Sequence, residues 1–170
     1  MRRQEQSPFV LALSPSPRGF AFVLFEGPIT PFDWGIKDLR GKDKNERTLA
    51  AINKLIREYH PSAIIVEATD AKESRRGPRI RKLVPKIEAF TKAEALPVFR
   101  YSRRQVREVF AKEGAQTRPE IAKAIAARIP ALASRLPPLR KLWMSEDARQ
   151  SLFDAAALGC VFFARAAHAR

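Results

Sequence analysis

The run Tyr101-Ser102-Arg103-Arg104-Gln105-Val106-Arg107 holds residue types suited to chemistry on a polyanion. Four arginines (Arg100, Arg103, Arg104 and Arg107) fall within eight residues, starting where the apolar residues Leu96, Val98 and Phe99 end. At helical spacing Val106, Val109 and Phe110 form one inward stripe. Arg103 and Arg107, four apart, then share a face turned elsewhere. A helix that offers cations from the end of a strand suits phosphate groups.

Carboxylates are the second set of candidates. Glu67 closes the apolar run Ala63-Ile64-Ile65-Val66, at a strand exit, where side chains reach the crevice above a sheet. Asp154 sits in the apolar stretch Phe153-Asp154-Ala155-Ala156-Ala157-Leu158-Gly159. A carboxylate there is either a ligand or a paired structural residue. Carboxylates converging from different elements are what metal-assisted phosphodiester chemistry requires. Mg²⁺ takes carboxylate oxygens and keeps several waters, and two ions about 4 Å apart stabilise the attacking and leaving oxygens. Asp147 is seven residues before Asp154, two turns up the same side of a continuous helix. Asp70 follows Glu67 by three. Both are candidate ligands that read more simply as solvated or capping residues.

These residues belong to a chain of 170 residues with 45% hydrophobic content, enough for one well-buried domain and short for two. The 32 Lys and Arg against 18 Asp and Glu leave a net charge of +14. The cations cluster, which points to nucleic acid or an anionic surface rather than to generic solubility. A single cysteine, Cys160, excludes an intramolecular disulfide and a cysteine-based zinc site, and fits a reducing cytoplasm. No apolar run is long enough to span a membrane, and Pro15 and Pro17 break the stretch that a signal peptide would need. His60 and His168 read as surface residues, Trp34 and Trp143 as core or edge packing.

The positioning elements follow from periodicity. Residues 9–13 and 19–25 are apolar runs separated by Pro15, Ser16 and Pro17, a hairpin. A third strand is expected around residues 32–36. Leu49, Ile52, Leu55, Ile56 and Tyr59 form a helical stripe closed by Pro61. The run ending in Glu67 reads as a buried parallel strand. The basic residues 72–86 lead into a helix after Pro78, bent or interrupted at Pro85. A last strand covers residues 97–100. Thr117-Arg118-Pro119-Glu120 has capping-box spacing, and the helix it opens breaks at Pro130. Ser145 is the expected cap of a final helix from Glu146. The resulting order, β-β-β-α-β-α-β-α-α-α, predicts an α/β fold: a mixed five-stranded sheet with helices on both faces.

In this order of elements the chain resembles the RuvC-type Holliday junction resolvases of the RNase H-like nuclease superfamily. The resemblance runs over residues 9–167 and implies a single RNase H-like domain over residues 7–170. The family's first-strand Asp-Pro-Gly turn and Gly-aromatic strand are matched by Ser14-Pro15-Ser16 and Gly19-Phe20-Ala21-Phe22. Its second ligand motif is matched by Ile64-Ile65-Val66-Glu67, its Tyr-x-x-Arg-Gln-Val-Lys segment by residues 101–107, and its ligand helix by Asp154-Ala155-Ala156-Ala157-Leu158. Arg118, eleven residues beyond Arg107, falls where such enzymes carry a second basic residue near the scissile phosphate.

Three departures stand beside these matches. Ser14 occupies the place of the metal-bridging Asp, Ser151 that of an acid three residues before Asp154, and Ala68, Thr69 and Asp70 replace a base-stacking aromatic. The resemblance implies a Mg²⁺- or Mn²⁺-dependent endonuclease acting on branched DNA in recombination and repair. Its catalytic residues would be Glu67, Asp154, Ser14, Arg107 and Arg118, and its metal ligands Glu67, Asp154 and Asp147. The missing first-strand Asp makes the metal weakly bound or absent. It leaves open a catalytically inactive nucleic-acid-binding protein and, third, a phosphate-binding or protein-interaction module. Expected nucleic-acid contacts are Arg75, Arg76, Arg79, Arg81, Lys82, Arg103, Arg104, Arg107 and Arg118. A homodimer is also implied, through the helix of residues 79–95. The apolar stripe of that helix (Ile80, Leu83, Val84, Ile87, Phe90) either meets a partner or faces the sheet.

Overall fold

The computed structural model describes residues 7–69, 74, 76–141 and 143–169. Asp70, Lys72 and Arg75, singled out above, lie outside them. Five strands form one sheet: β1 (Val10–Ser16), β2 (Gly19–Gly27), β3 (Thr30–Asp38), β4 (Ala63–Glu67) and β5 (Val98–Tyr101). Their spatial order is β3-β2-β1-β4-β5, antiparallel from β3 to β1 and parallel from β1 to β5. The helices are α1 (Lys44–Tyr59), α2 (Pro78–Ala93), α3 (Arg103–Ala111), α4 (Arg118–Arg128) and α5 (Gln150–His168), with a 3₁₀ turn at Pro130–Arg135.

The alternation of side chains along the strands divides the core in two. Leu11, Leu13, Phe20, Phe22, Ile64 and Val66 point to one face, where Ile52 and Leu55 of α1 and Leu83, Val84 and Ile87 of α2 cover them. Ala12, Ala21, Val23, Phe25 and Ile65 point to the other, covered by α3, α4 and α5. Leu83, Val84 and Ile87 of the α2 stripe are therefore spent on the sheet, and Phe90 is half-buried. Helix α5 packs so closely on the sheet that a Cβ on Gly159 would lie 2.2 Å from the Phe25 ring. Gly159→Ala should cost about 1–3 kcal/mol by overpacking. A thermal melt checks this, and an unchanged midpoint would mean that the ring has room to move.

Several boundaries differ from expectation. β1 runs through Pro15 to Ser16, so the hairpin turns at Pro17 and Arg18. Proline is tolerated where the strand ends. α2 continues through Pro85 as one helix. α5 begins at Gln150 rather than Glu146, and Ser145 does not cap it. Asp147 instead takes hydrogen bonds from the backbone N–H (2.9 Å) and the guanidinium of Arg149, which holds residues 147–149 in a turn. Trp34 packs against the α3–α5 side of the core, but Trp143 is 79% exposed. The packing reading of Trp143 is thus overturned: residues 143–149 stand outside the helix that would have buried it.

Candidate nucleic-acid interface

The parallel register of β1 and β4 pairs Val10 with Ala63, Leu11 with Ile64 and Ala12 with Ile65. Two residues beyond the last registered pair stand Ser14 and Glu67, on the face that α3–α5 cover, and both line one cavity. Both are buried. Asp154 comes down from α5 onto the same place. Arg118 arrives at the first position of α4, which begins there because the Thr117 hydroxyl accepts a hydrogen bond from the Glu120 N–H. Arg103 and Arg107 come from α3, whose start is fixed by a full capping box. Ser102 Oγ accepts from Gln105 N–H, and the Gln105 side chain accepts from Ser102 N–H at 2.8 Å. The spacing Ser102-x-x-Gln105 carried that signal in the sequence. As expected, Phe110 is buried and Val106 and Val109 pack inward.

Ser14, Glu67, Arg76, Arg103, Arg107, Arg118 and Asp154 line one cavity of about 220 Å³. Four arginines against two carboxylates leave its lining two positive charges in excess. Both carboxylates are engaged. Arg76 Nε donates to Glu67 Oε2 at 2.5 Å and Arg103 Nε to Oε1 at 2.9 Å. Arg118 reaches both oxygens of Asp154, Nε donating to Oδ1 at 3.2 Å, and Gln150 Nε2 adds a 3.3 Å bond to Oδ1. The other arm of Arg118 pairs with Glu146 at 2.5 Å. Burial works to lower the Arg118 pKa, but the hydrogen bonds it donates to Asp154 and the charges of Asp154, Glu146 and Glu67 carry it above its ordinary value. One guanidinium thus answers to three carboxylates.

Glu146 and Gln150 are site residues that sequence reasoning missed. Gln150 left a signal, a polar residue one helical turn before Asp154; Glu146 was taken for the start of a helix. Asp147 is not two turns up α5 from Asp154. It lies before the helix, lining a neighbouring depression with Glu146, Ser151 and Asp154. The Arg149 hydrogen bonds hold its pKa down to about 2.

The basic residues divide by what they touch. Arg79 donates to Ser16 O (2.5 Å) and Asn45 Oδ1 (2.9 Å), tying α2 to α1 and to the end of β1, and its burial lowers its pKa. Arg81 donates to Ser74 O, and Arg104 pairs with Glu108 one turn along α3. Both are exposed, as is Lys82. Arg107, exposed at the cavity rim, makes no side-chain hydrogen bond or ion pair among the described residues.

A two-metal centre needs several carboxylates free to bridge the ions. The present set is two carboxylates and the Ser14 hydroxyl, with the carboxylate charges already met by guanidinium groups. Among the described residues no group of three or more His, Cys, Asp or Glu stands ready to hold a metal. In this arrangement the residues do not fit such a centre.

No family model matches the sequence, and no curated protein is similar enough to be matched. Solved structures are similar in fold. Thermus thermophilus RuvC superposes with a TM-score of 0.66 at 16% identity, over 94% of this chain and 96% of its own. The same figures hold for T. thermophilus RuvC in complex with its Holliday junction substrate. The yeast mitochondrial Holliday junction resolvase Ydc2 gives 0.64 at 14% identity, over 96% of this chain and 82% of its own. The chain therefore has the α/β, RNase H-like fold of the RuvC-type resolvases. No helix among the described residues is long and apolar enough to cross a membrane.

Proposed function

We propose that this chain is a resolvase-like protein that binds branched or duplex DNA in the cytoplasm, holding a phosphodiester in the arginine-lined cleft between β1, β4 and α5. The observation that carries this reading is the pairing of Glu67 with Arg76 and Arg103, and of Asp154 with Arg118. The cleft offers guanidinium groups, with Arg107 at its rim making no ion pair among the described residues, rather than bare carboxylates. Phosphate oxygens match the planar fork of arginine as carboxylates do, so a phosphodiester can replace either acid on the same donors.

The similarity in fold to T. thermophilus RuvC, which is seen with a Holliday junction substrate, and to the yeast mitochondrial Holliday junction resolvase supports a four-way junction as the substrate to try first. Fluorescence anisotropy with a labelled four-way junction and a plain duplex tests the reading. Binding of both, tighter for the junction, is expected, and binding of neither would refute it. A homodimer suits a two-fold symmetric junction, and α2 would contribute to it only through residues outside its buried stripe.

A metal-dependent endonuclease is the second reading. It would rest on Glu67 and Asp154, which line one cavity with Ser14, and would require both to leave their guanidinium partners for a metal ion. Cleavage of the junction in Mg²⁺ or Mn²⁺ decides between the two. Ser14→Asp adds a carboxylate to the cavity that Glu67 lines and should raise Mn²⁺ affinity in a calorimetric titration. An unchanged titration would show that Ser14 does not occupy a bridging position.

A further inference from the structure

The described residues between the 3₁₀ turn and α5 expose more apolar surface than a connection needs. Leu139 is 89% exposed, Trp143 79% and Met144 47%, three of the six exposed large hydrophobic residues among those described. Grouped exposed apolar residues rimmed by polar ones mark interaction sites, and Trp is enriched among the residues that carry binding energy. The segment is stiffened by Pro137-Pro138 at one end and by the turn closed by Met144 N–H to Lys141 O (2.9 Å) at the other. The Lys141 ammonium lies 5.2 Å from the centre of the Trp143 ring, and Arg140 is exposed three residues before the indole. Aromatic surface interleaved with cations is the combination that single-stranded nucleic acid recognises, the ring taking a base face and the cations the adjoining phosphates.

The segment is also connected to the cleft. Its first part, Leu136 to Arg140, forms one wall of a groove of about 640 Å³, and Pro119 and Lys123 of α4 form the other. Arg118 and Gln150 line both this groove and the phosphate-sized cavity. Ser145, two residues after Trp143, lines the depression that contains Asp154. A strand whose phosphate lies against Arg118 can follow Lys123 and Arg140 along this groove, which Glu146 and Asp147 also line, toward the residues that carry the indole.

We propose that Trp143, flanked by Arg140 and Lys141, is a stacking platform for an unpaired nucleobase of the branched DNA whose phosphate the cleft holds. The inference rests on the reading of the cleft given above, and adds what distinguishes a branch from a plain duplex: a base free to leave its pair.

The test measures the affinity of wild type, Trp143→Ala and Trp143→Phe for a fully paired duplex and for the same duplex carrying a single-stranded flap. Trp143 is on the surface, so both variants should melt as the wild type does. Trp143→Ala should weaken binding of the flapped substrate about tenfold, within the range for one lost base stack, and leave the paired duplex unchanged. Trp143→Phe should recover most of the loss. Equal loss on both substrates would overturn the platform, because the residue would then be a general contact. No loss on either, with wild type bound to both, would overturn it as well. So would the disappearance of self-association in Trp143→Ala with DNA binding intact, since the surface would then belong to a protein contact. If wild type binds neither substrate, the reading of the cleft falls and the platform with it.

Discussion

Between 50 and 200 mM monovalent salt, the affinity of this chain for a four-way junction should fall about a thousandfold. On the proposed reading six cations among the described residues meet phosphates: Arg103, Arg107 and Arg118, which line the cleft, and Arg81, Lys82 and Arg104, which are exposed elsewhere on the surface. Each neutralised phosphate of duplex DNA contributes about −0.9 to the slope of log affinity against log salt, so about six contacts give a slope near −5. Arg107→Ala should reduce that slope by about 0.9, because this arginine has no ion-pair partner among the described residues to give up when it meets DNA. Arg79→Ala should leave the slope where it was and lower the melting temperature instead. Its guanidinium is committed to Ser16 and Asn45. Titrations at four salt concentrations measure both. A flat dependence in the wild type would show that the +14 charge does not serve nucleic acid.

Glu67→Ala should move stability and affinity in opposite directions. Removing one partner of a buried ion pair strands the other charge, typically at a cost of about 3–5 kcal/mol. Arg103 is 31% exposed and can turn to water, whereas Arg76 is 13% exposed and cannot fully do so. The lower end, about 3 kcal/mol, is therefore expected, or roughly a 10 °C fall in melting temperature for a domain of this size. The same substitution frees two guanidinium groups beside the cavity. Junction binding at fixed salt should tighten, and added phosphate should recover part of the lost stability by binding the folded state. A variant that melts with the wild type would show that the pairs are peripheral. One that loses both stability and affinity would show that Glu67 positions the arginines for DNA. On the endonuclease reading, this variant also loses all cleavage.

The sheet and its helices were legible because burial leaves a period. Residues 63–66 are apolar without a break, as a strand covered on both faces must be, and Leu49, Ile52, Leu55 and Ile56 repeat as a helix packed on a sheet. Glu67 and Asp154 stood out by local pattern, a carboxylate at a strand exit and one in an apolar helix, whereas Ser14 was identified only through the resemblance to the resolvase family. The arginine partners could not be read. An arginine has a long reach, and which carboxylate it meets is decided by tertiary position, as with Arg118 and Asp154, 36 residues apart. The start of the last helix was misplaced for a local reason. Ser145 followed by acids looks like a cap, but the Asp147–Arg149 turn wins the backbone at that point. Trp143 was misread because large aromatic residues are usually covered, and the sequence gives no sign of which are left open.

The placement of Ser14 and Glu67 has a consequence for how such a protein can change over time. Their positions follow from the ladder between two parallel strands, registered as far as Ala12 and Ile65, and that ladder is made by backbone groups rather than by the side chains at 14 and 67. One codon can therefore exchange a carboxylate for a hydroxyl at position 14 without disturbing the architecture that presents it. The frame keeps its shape while the chemistry mounted on it is gained, dimmed or lost one residue at a time.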